Sequence, residues 1–426
     1  MSRPSVYLDH AATTPLSPVA LEAMTEELAQ VGNASSLHAS GRRARRVVEE
    51  SRERIAAALG CRPSEVVLTS GGTEADNLAL KGGHAARRSA DPSRRRLLVS
   101  SVEHHAVLDP AEHLAATGEA DLGLLPVDHD GRLDLEALRA ELGRGGVSLL
   151  SLMWANNEVG TLQPVAEAAA LCAEHGVPVH SDAVQALSTQ PVDFAASGLD
   201  ALTVSAHKVG GPIGVGALVA RRDLALTPLV HGGGQERDVR SGTLPTPLVA
   251  AFAAALEQAV AERETTAARL LGLSTRLVAG LRAAVPDAVL NGPALSATPD
   301  AAGRLPGIVH VSFPGCQGDS LLMLLDAAGV ECSTGSACSA GVPQPSHVLL
   351  AMGRDEAEAK SSLRFSLGRG TTEADVDAAV DAIGPAVERA RLASGRGTLR
   401  RGAPAQGSTQ GSIQDPADRP SDRRAG

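Results

Sequence analysis

The chain has 426 residues, 43% of them hydrophobic and 21% charged, with 44 Gly and 25 Pro. That length accommodates two or three domains and a sizeable core, while no apolar run approaches the roughly 18 residues of a membrane span. A net charge of −10 with one Trp, one Tyr and four Phe argues against a basic, aromatic-lined nucleic-acid face, and five Cys without a C-x-x-C pair argue against a disulfide framework or structural zinc. The opening MSRPSVYLDHAATTP lacks an apolar signal region, so the expectation is a cytoplasmic enzyme with neither membrane nor direct nucleic-acid contact. Of the 39 basic residues only Lys81, Lys208 and Lys360 are lysines, so chemistry that needs an amine has few candidates.

From about Glu65 short apolar runs alternate with helical stretches. EVVLTS (65–70), RLLVSS (96–101), VSLLSLMW (147–154), VPVHSD (177–182) and ALTVSAH (201–207) read as buried strands, each ending in a small or polar residue. Between some of them lie amphipathic stretches such as TEADNLALKGG and PVAEAAALCAEHG, the latter closed by Gly176 after His175. This alternation predicts an α/β domain around a mostly parallel sheet, with ligands at the carboxyl ends of the strands. An Ala-rich helical region follows over 246–284, then Pro286 and Asn291-Gly292-Pro293, and a smaller α+β domain whose strands include GIVHVSF and SLRFSLG. The expected organisation is a large domain over 14–259, a small domain over 260–395 joined by residues 1–13, and a disordered tail over 396–426, where 402–426 hold a single large aliphatic residue, Ile413. The Arg-rich stretches 41–46 and 94–96 read as solvated faces.

Four segments carry chemistry. SGGTEADN (70–77) turns on two glycines and opens a helix at Thr73, which is either a phosphate cradle or an ordinary capped helix. SVEHHAV (101–107) places His104 at a strand end, suited to lie over a planar cofactor or move protons; two adjacent histidines are not expected to face one site, so one of the pair reads as structural. HSDAVQ (180–185) ends a buried strand in Asp182, either an N-cap or a carboxylate with a cationic partner such as the protonated pyridine nitrogen of pyridoxal phosphate. SAHKVGGPIGVGAL (205–218) puts Lys208 between a buried strand and a Gly-rich turn, where a lysine of lowered pKa can form a Schiff base. Each is ambiguous alone, and the set in this chain order is far more specific.

With YLDHAATTP (7–15), ANNEVG (155–160) and HGGGQERDVRSGT (231–243), the set closely resembles the cysteine desulfurases of the class V aminotransferase family, over about Tyr7 to Arg369. The resemblance implies the pyridoxal-phosphate aspartate-aminotransferase-like fold. It implies that Gly72, Thr73, Ser205 and His207 hold the cofactor phosphate, His104 stacks on the ring, Asp182 pairs with its nitrogen, Asn157 and Gln185 lie near its phenolic oxygen, and Lys208 binds it covalently. Thr243 is implied to reach the phosphate of a partner subunit in a homodimer, and Arg364, with Asn157, to take the substrate carboxylate. One departure is Ala34 after Asn33, where the family has proline.

Of the five thiols, Cys61, Cys172 and Cys316 read as packing or loop residues, while Cys332 and Cys338 flank a run of small residues expected to form a mobile loop. GSACSAG and the PSHVLLAMG after it resemble the family's persulfide loop, with Cys338 as nucleophile and Cys332 as the next candidate. No resident metal is implied; Cys338 alone is open to transient contact with an iron–sulfur cluster. The implied reaction converts L-cysteine to L-alanine and passes sulfur to an acceptor protein, such as an iron–sulfur scaffold or a tRNA-thiolating enzyme. His104 is the nominated proton carrier. A selenocysteine lyase, an aminotransferase of the same fold and a silent cofactor-binding scaffold are the alternatives.

Overall fold

The computed structural model describes residues 5–296, 303–335 and 344–395. Cys338 and the 396–426 segment named above lie outside them.

A seven-stranded sheet forms the centre, built from β2 (Val66–Thr69), β3 (Arg96–Ser100), β4 (Asp121–Leu125), β5 (Val147–Ser151), β6 (Val179–Asp182), β7 (Ala201–Ser205) and β8 (Gly216–Ala220) in the order β2-β8-β7-β6-β5-β3-β4. All five predicted strands are present. Only β8 runs antiparallel to its neighbours, because the Gly-rich turn after Lys208 reverses the chain without a crossover helix. Successive side chains point to opposite faces, so each strand feeds two cores. Val66, Leu68, Leu98 and Leu150 join one apolar cluster, and Val67, Leu97, Val99 and Leu149 the other.

The Ala-rich region is two helices, Thr246–Ala261 and Arg263–Ala284, parted at Glu262, whose carboxylate accepts from Gln258 and pairs with Arg369. Beyond them a three-stranded antiparallel sheet of β9 (Val289–Leu290), β10 (Ile308–Ser312) and β12 (Ser362–Ser366) builds a smaller domain with its own core of Val309, Phe365, Leu277 and Ile383. The chain start joins this part: β1 (Val6–Tyr7) pairs with β11 (Val330–Glu331), and Asp9 bridges to Ser366. The fold is therefore α/β, a large mostly parallel sheet with a smaller domain beside it. Among the described residues no helix is long and apolar enough to cross a membrane.

A buried ion pair ties the 231–243 loop to the large sheet. Arg52 reaches Glu236 through two bonds of 2.7 and 2.8 Å, and Glu236 also accepts the Leu68 N–H at 2.8 Å. Glu236→Gln removes the buried counter-charge and leaves the Arg52 guanidinium only the more exposed Glu49, 3.3 Å away, an expected cost of about 3 kcal/mol. Urea denaturation checks this, and an unshifted midpoint would mean that Glu49 alone balances the Arg52 charge.

Candidate active site

The carboxyl ends of β5, β6 and β7 and the turn after β2 surround a cavity of about 260 Å³. Lys208 enters it from the short helical turn Ala206–Lys208 that follows β7. Its Nζ donates to the Ala12 carbonyl at 2.8 Å and to that of Ala11, which anchors the amine against the chain start. Burial and, next, the Arg364 charge lower its pKa to about 8, against the opposing pull of Asp182 and Asp9. About half of this amine is thus neutral near pH 8, where an ordinary lysine is almost fully charged.

Asp182 lines the facing wall at the end of β6, where its Oδ1 accepts the Val184 N–H at 2.8 Å. Burial raises its carboxyl to about 6, with the Val184 N–H and Lys208 pulling the other way. Beside it stands a residue the sequence reading missed. Asp76, on the helix Gly72–Asn77, is 1% exposed, and its Oδ1 has no hydrogen-bond partner among the described residues. Burial and then the Asp182 charge hold its carboxyl well above the usual range. The nearest ring nitrogen, His180 Nε2, lies 3.5 Å away but is bonded to Thr203 Oγ1 at 2.9 Å. Burial lowers His180 to about 3, so it stays neutral and cannot compensate the acids.

Gly72, Thr73, Ser205 and His207 line the same cavity. Glycine suits the approach there, since a Cβ on Gly72 would lie 3.2 Å from Val184 Cγ2. His207 is held by Thr13 Oγ1 at 3.2 Å, and burial, then Lys208, lower it to about 4. Gln185 Nε2 donates to the Ala11 carbonyl at 2.8 Å, on the same carbonyl as Lys208. His104 also lines the cavity, with Nδ1 accepting its own helix's Ala106 N–H at 3.1 Å.

A second cavity of about 280 Å³ shares His104, Asn157, Gln185 and Lys208 with the first and adds Arg364, Glu158, His105 and His347. Arg364 comes from β12, bonded to Asp9 Oδ1 and to the Asn157 carbonyl, both at 2.9 Å, with Nε unpartnered among the described residues. The expectation that adjacent histidines cannot share a site does not hold: His104 and His105 both line this cavity, because His104 is the extended N-cap of a helix whose first residue is His105. Glu158 was also missed. It is 2% exposed, accepts from Ser346 Oγ at 2.5 Å, and burial lifts it to about 7 against the Ser346 bond and the Arg364 charge.

Thr243 lines neither cavity and is exposed. Its loop is held at Arg240, whose Nε donates to Glu74 Oε1 at 2.8 Å. The four described thiols are free. Burial lifts Cys61, Cys172 and Cys332 to about 12 and raises Cys316 as well, and Cys332 sits in the core of the smaller domain. None of them is available as a thiolate near neutral pH.

The first cavity fits pyridoxal phosphate. Two buried acids face an amine with no other cation among the residues lining that cavity, which suits a protonated ring nitrogen, and the glycine turn with Ser205 and His207 suits the phosphate.

Residues 6–379 match the family Aminotransferase class-V. The chain is 56% identical over 389 residues to the IscS-like cysteine desulfurase of Mycobacterium tuberculosis, covering 91% of this chain and 98% of that one. Among solved structures, a NifS-like protein superposes with a TM-score of 0.81 at 35% identity, covering 89% of this chain and 98% of the other. SspA in complex with cysteine does so with a TM-score of 0.72 at 32% identity, covering 85% and 99%. The chain belongs to the class V aminotransferases, a pyridoxal-phosphate-dependent family, and within it to the cysteine desulfurases.

Proposed function

We propose that this chain takes sulfur from L-cysteine, releases L-alanine, and carries the sulfur as a persulfide on Cys338 to an acceptor protein of iron–sulfur cluster assembly. One observation carries the reading: the Lys208 amine opens at once onto a cavity fit for the cofactor and onto a second cavity walled by Arg364.

Gly72, Thr73, Ser205 and His207 would hold the cofactor phosphate, His104, Asp182, Asn157 and Gln185 would hold its ring, and Lys208 would be its covalent anchor. Once bound, pyridoxal phosphate supplies the electron sink for bond breaking at Cα. Lys208 moves the Cα proton, and its lowered pKa suits it to accept one. Arg364 grips the substrate carboxylate, already oriented by Asp9 and the Asn157 carbonyl. Cys338 attacks the substrate sulfur as a thiolate, the new S–S bond forming as the substrate Cβ–S bond breaks and leaves its electron pair on the carbon that becomes the methyl group of alanine. The burial of the four described thiols supports that choice.

A second copy of the chain completes the site in this reading. Thr243 faces away from its own cavities, and Leu37, Val31, Ile213 and Leu28 leave 84, 80, 75 and 64% of their surface exposed, apolar area that a homodimer would cover. Arg364→Lys keeps the charge but loses the planar fork, so KM for L-cysteine is expected to rise by about 10–100-fold with a smaller change in kcat. Steady-state kinetics separate the two.

The deciding experiment is alanine release from L-cysteine by the purified protein without reductant, followed by mass spectrometry of its peptides. Alanine together with a one-sulfur gain on the Cys338 peptide establishes the reading. Alanine without that gain would move the persulfide elsewhere, and no alanine from protein holding cofactor would overturn the desulfurase activity.

A further inference from the structure

Arg364 sits in the middle of β12 with its side chain 6% exposed, and a guanidinium buried that far needs a counter-charge. Asp9 supplies it. Among the described residues its carboxylate is the only one within ion-pairing distance, with Oδ1 accepting from Nη2 at 2.9 Å. Nη1 is occupied by the Asn157 carbonyl, also at 2.9 Å. Of the five N–H groups of a guanidinium, these bonds use two and leave one on each nitrogen. A ligand carboxylate therefore still finds donors, but it meets a cation that already has an anion bonded to it.

The backbone on both sides of Asp9 is bonded, so this anion is fixed. The Leu8 carbonyl accepts the Ser366 N–H at 2.7 Å, the His10 N–H donates to the Ser366 carbonyl at 3.2 Å, and the Ala11 N–H donates to Ser366 Oγ at 2.9 Å. The Asp9 carbonyl itself accepts from the Tyr7 hydroxyl and from the Ala12 N–H, both at 3.0 Å. Ser366 ends the strand that carries Arg364, so cation and anion share one frame. The Asp9 charge also reaches the cavity, since it is felt at the Lys208 amine, where it opposes the Arg364 charge. Glu158, the other acid near Arg364, is held by Ser346 instead.

Resting on the assignment of Arg364 to the substrate carboxylate, we propose that Asp9 sets the affinity of this site: as the fixed counter-ion of Arg364 it weakens the grip on every α-carboxylate, substrate and product alike. The empty site then carries no unbalanced buried cation, and alanine is let go at the end of a turnover. Two carboxylates sharing one guanidinium repel each other, which near a protein surface is worth about 10–100-fold in affinity. Binding weakened equally for substrate and product is the kind that lowers no barrier of its own, so its removal shows in affinity first.

The test is Asp9→Asn in the full-length holoenzyme, since asparagine keeps an oxygen to accept from Nη2 and loses only the charge. Binding is read from the cofactor absorbance with two probes, L-alanine and ethylamine, the second being the first without its carboxylate. KM for L-cysteine is measured beside them, and the unliganded spectrum reports folding. The expected result is an L-alanine dissociation constant lower by about 10–100-fold, with KM for L-cysteine falling in step, while ethylamine affinity moves by less than about twofold. A residue that only supports the fold would not tighten binding when altered. Unchanged or weaker L-alanine binding, or an equal gain for ethylamine, would overturn the assignment. Arg364→Lys separates the two claims: if it leaves L-alanine affinity unchanged, the reading of Arg364 fails and the role of Asp9 with it. If wild type makes no alanine, the desulfurase reading fails separately, and the two probes still decide what Asp9 does.

Discussion

Lys208→Ala is expected to abolish alanine formation from L-cysteine, by at least about 10⁴-fold, while the protein still takes up cofactor. The size follows from the two functions proposed for that one side chain, covalent attachment and movement of the Cα proton, with no second amine among the residues lining either cavity. Of the other two lysines, neither lines the cavities, and Lys360 pairs with Glu356 on an exposed helix. Cofactor uptake should survive because Asp182, Ser205 and Gly72, also proposed to hold it, come from other elements. Borohydride reduction before digestion reads the difference, fixing cofactor to the Lys208 peptide in the wild type and to nothing in the variant. Residual alanine above about 1% of wild type would show that another base moves the proton. Lys208→Arg should fail equally, because a guanidinium neither forms the bond nor gives up its proton near neutral pH.

The site was legible wherever chemistry sits at the end of a buried strand. Lys208, Asp182, Ser205 and His207 stand there because a parallel strand ends abruptly in a turn, and an apolar run closing on a charged or polar residue is a local signal. Asp76 and Glu158 gave no such signal, because what makes each unusual is contact made at long range. Glu158 meets Ser346, 188 residues on, and Arg364 meets Asp9, 355 residues back. A carboxylate within a helix or loop motif looks solvated until the fold closes over it. The shared exposure of His104 and His105 escaped the sequence for another reason: strand alternation separates neighbours, but at a helix N-cap the chain bends and both rings turn to one side. The split of the Ala-rich region at Glu262 was likewise hidden, since no Gly or Pro marks it and the break is stabilised by Arg369 from the far end of the chain.

Asp182→Asn should separate stability from activity. Asparagine keeps an acceptor for the Val184 N–H and removes only the charge. In the apo protein that charge is a burden. Burial raises the folded-state pKa of Asp182 from 3.8 to about 6, so its contribution is fully present below about pH 4 and is lost as pH rises through 6. Above that pH the buried carboxylate costs about 3 kcal/mol, aggravated by Asp76, which has no cation of its own. Apo Asp182→Asn is therefore expected to be more stable than apo wild type at pH 7.5 by about that amount, with the difference vanishing towards pH 4. Cofactor reverses the order. In the proposed site a protonated ring nitrogen would give the carboxylate its partner, so loading should raise the unfolding midpoint of wild type far more than that of the variant. The desulfuration rate of the variant should fall by about 10³-fold, since a ring nitrogen without its counter-charge makes a poorer sink. Urea denaturation of apo and loaded protein at pH 4.5, 6 and 7.5 tests the sign directly. An apo variant weaker than wild type at pH 7.5 would mean that Asp182 is paired before the cofactor arrives. Lys208 would be that partner, for its Nζ is the one cation lining the same cavity.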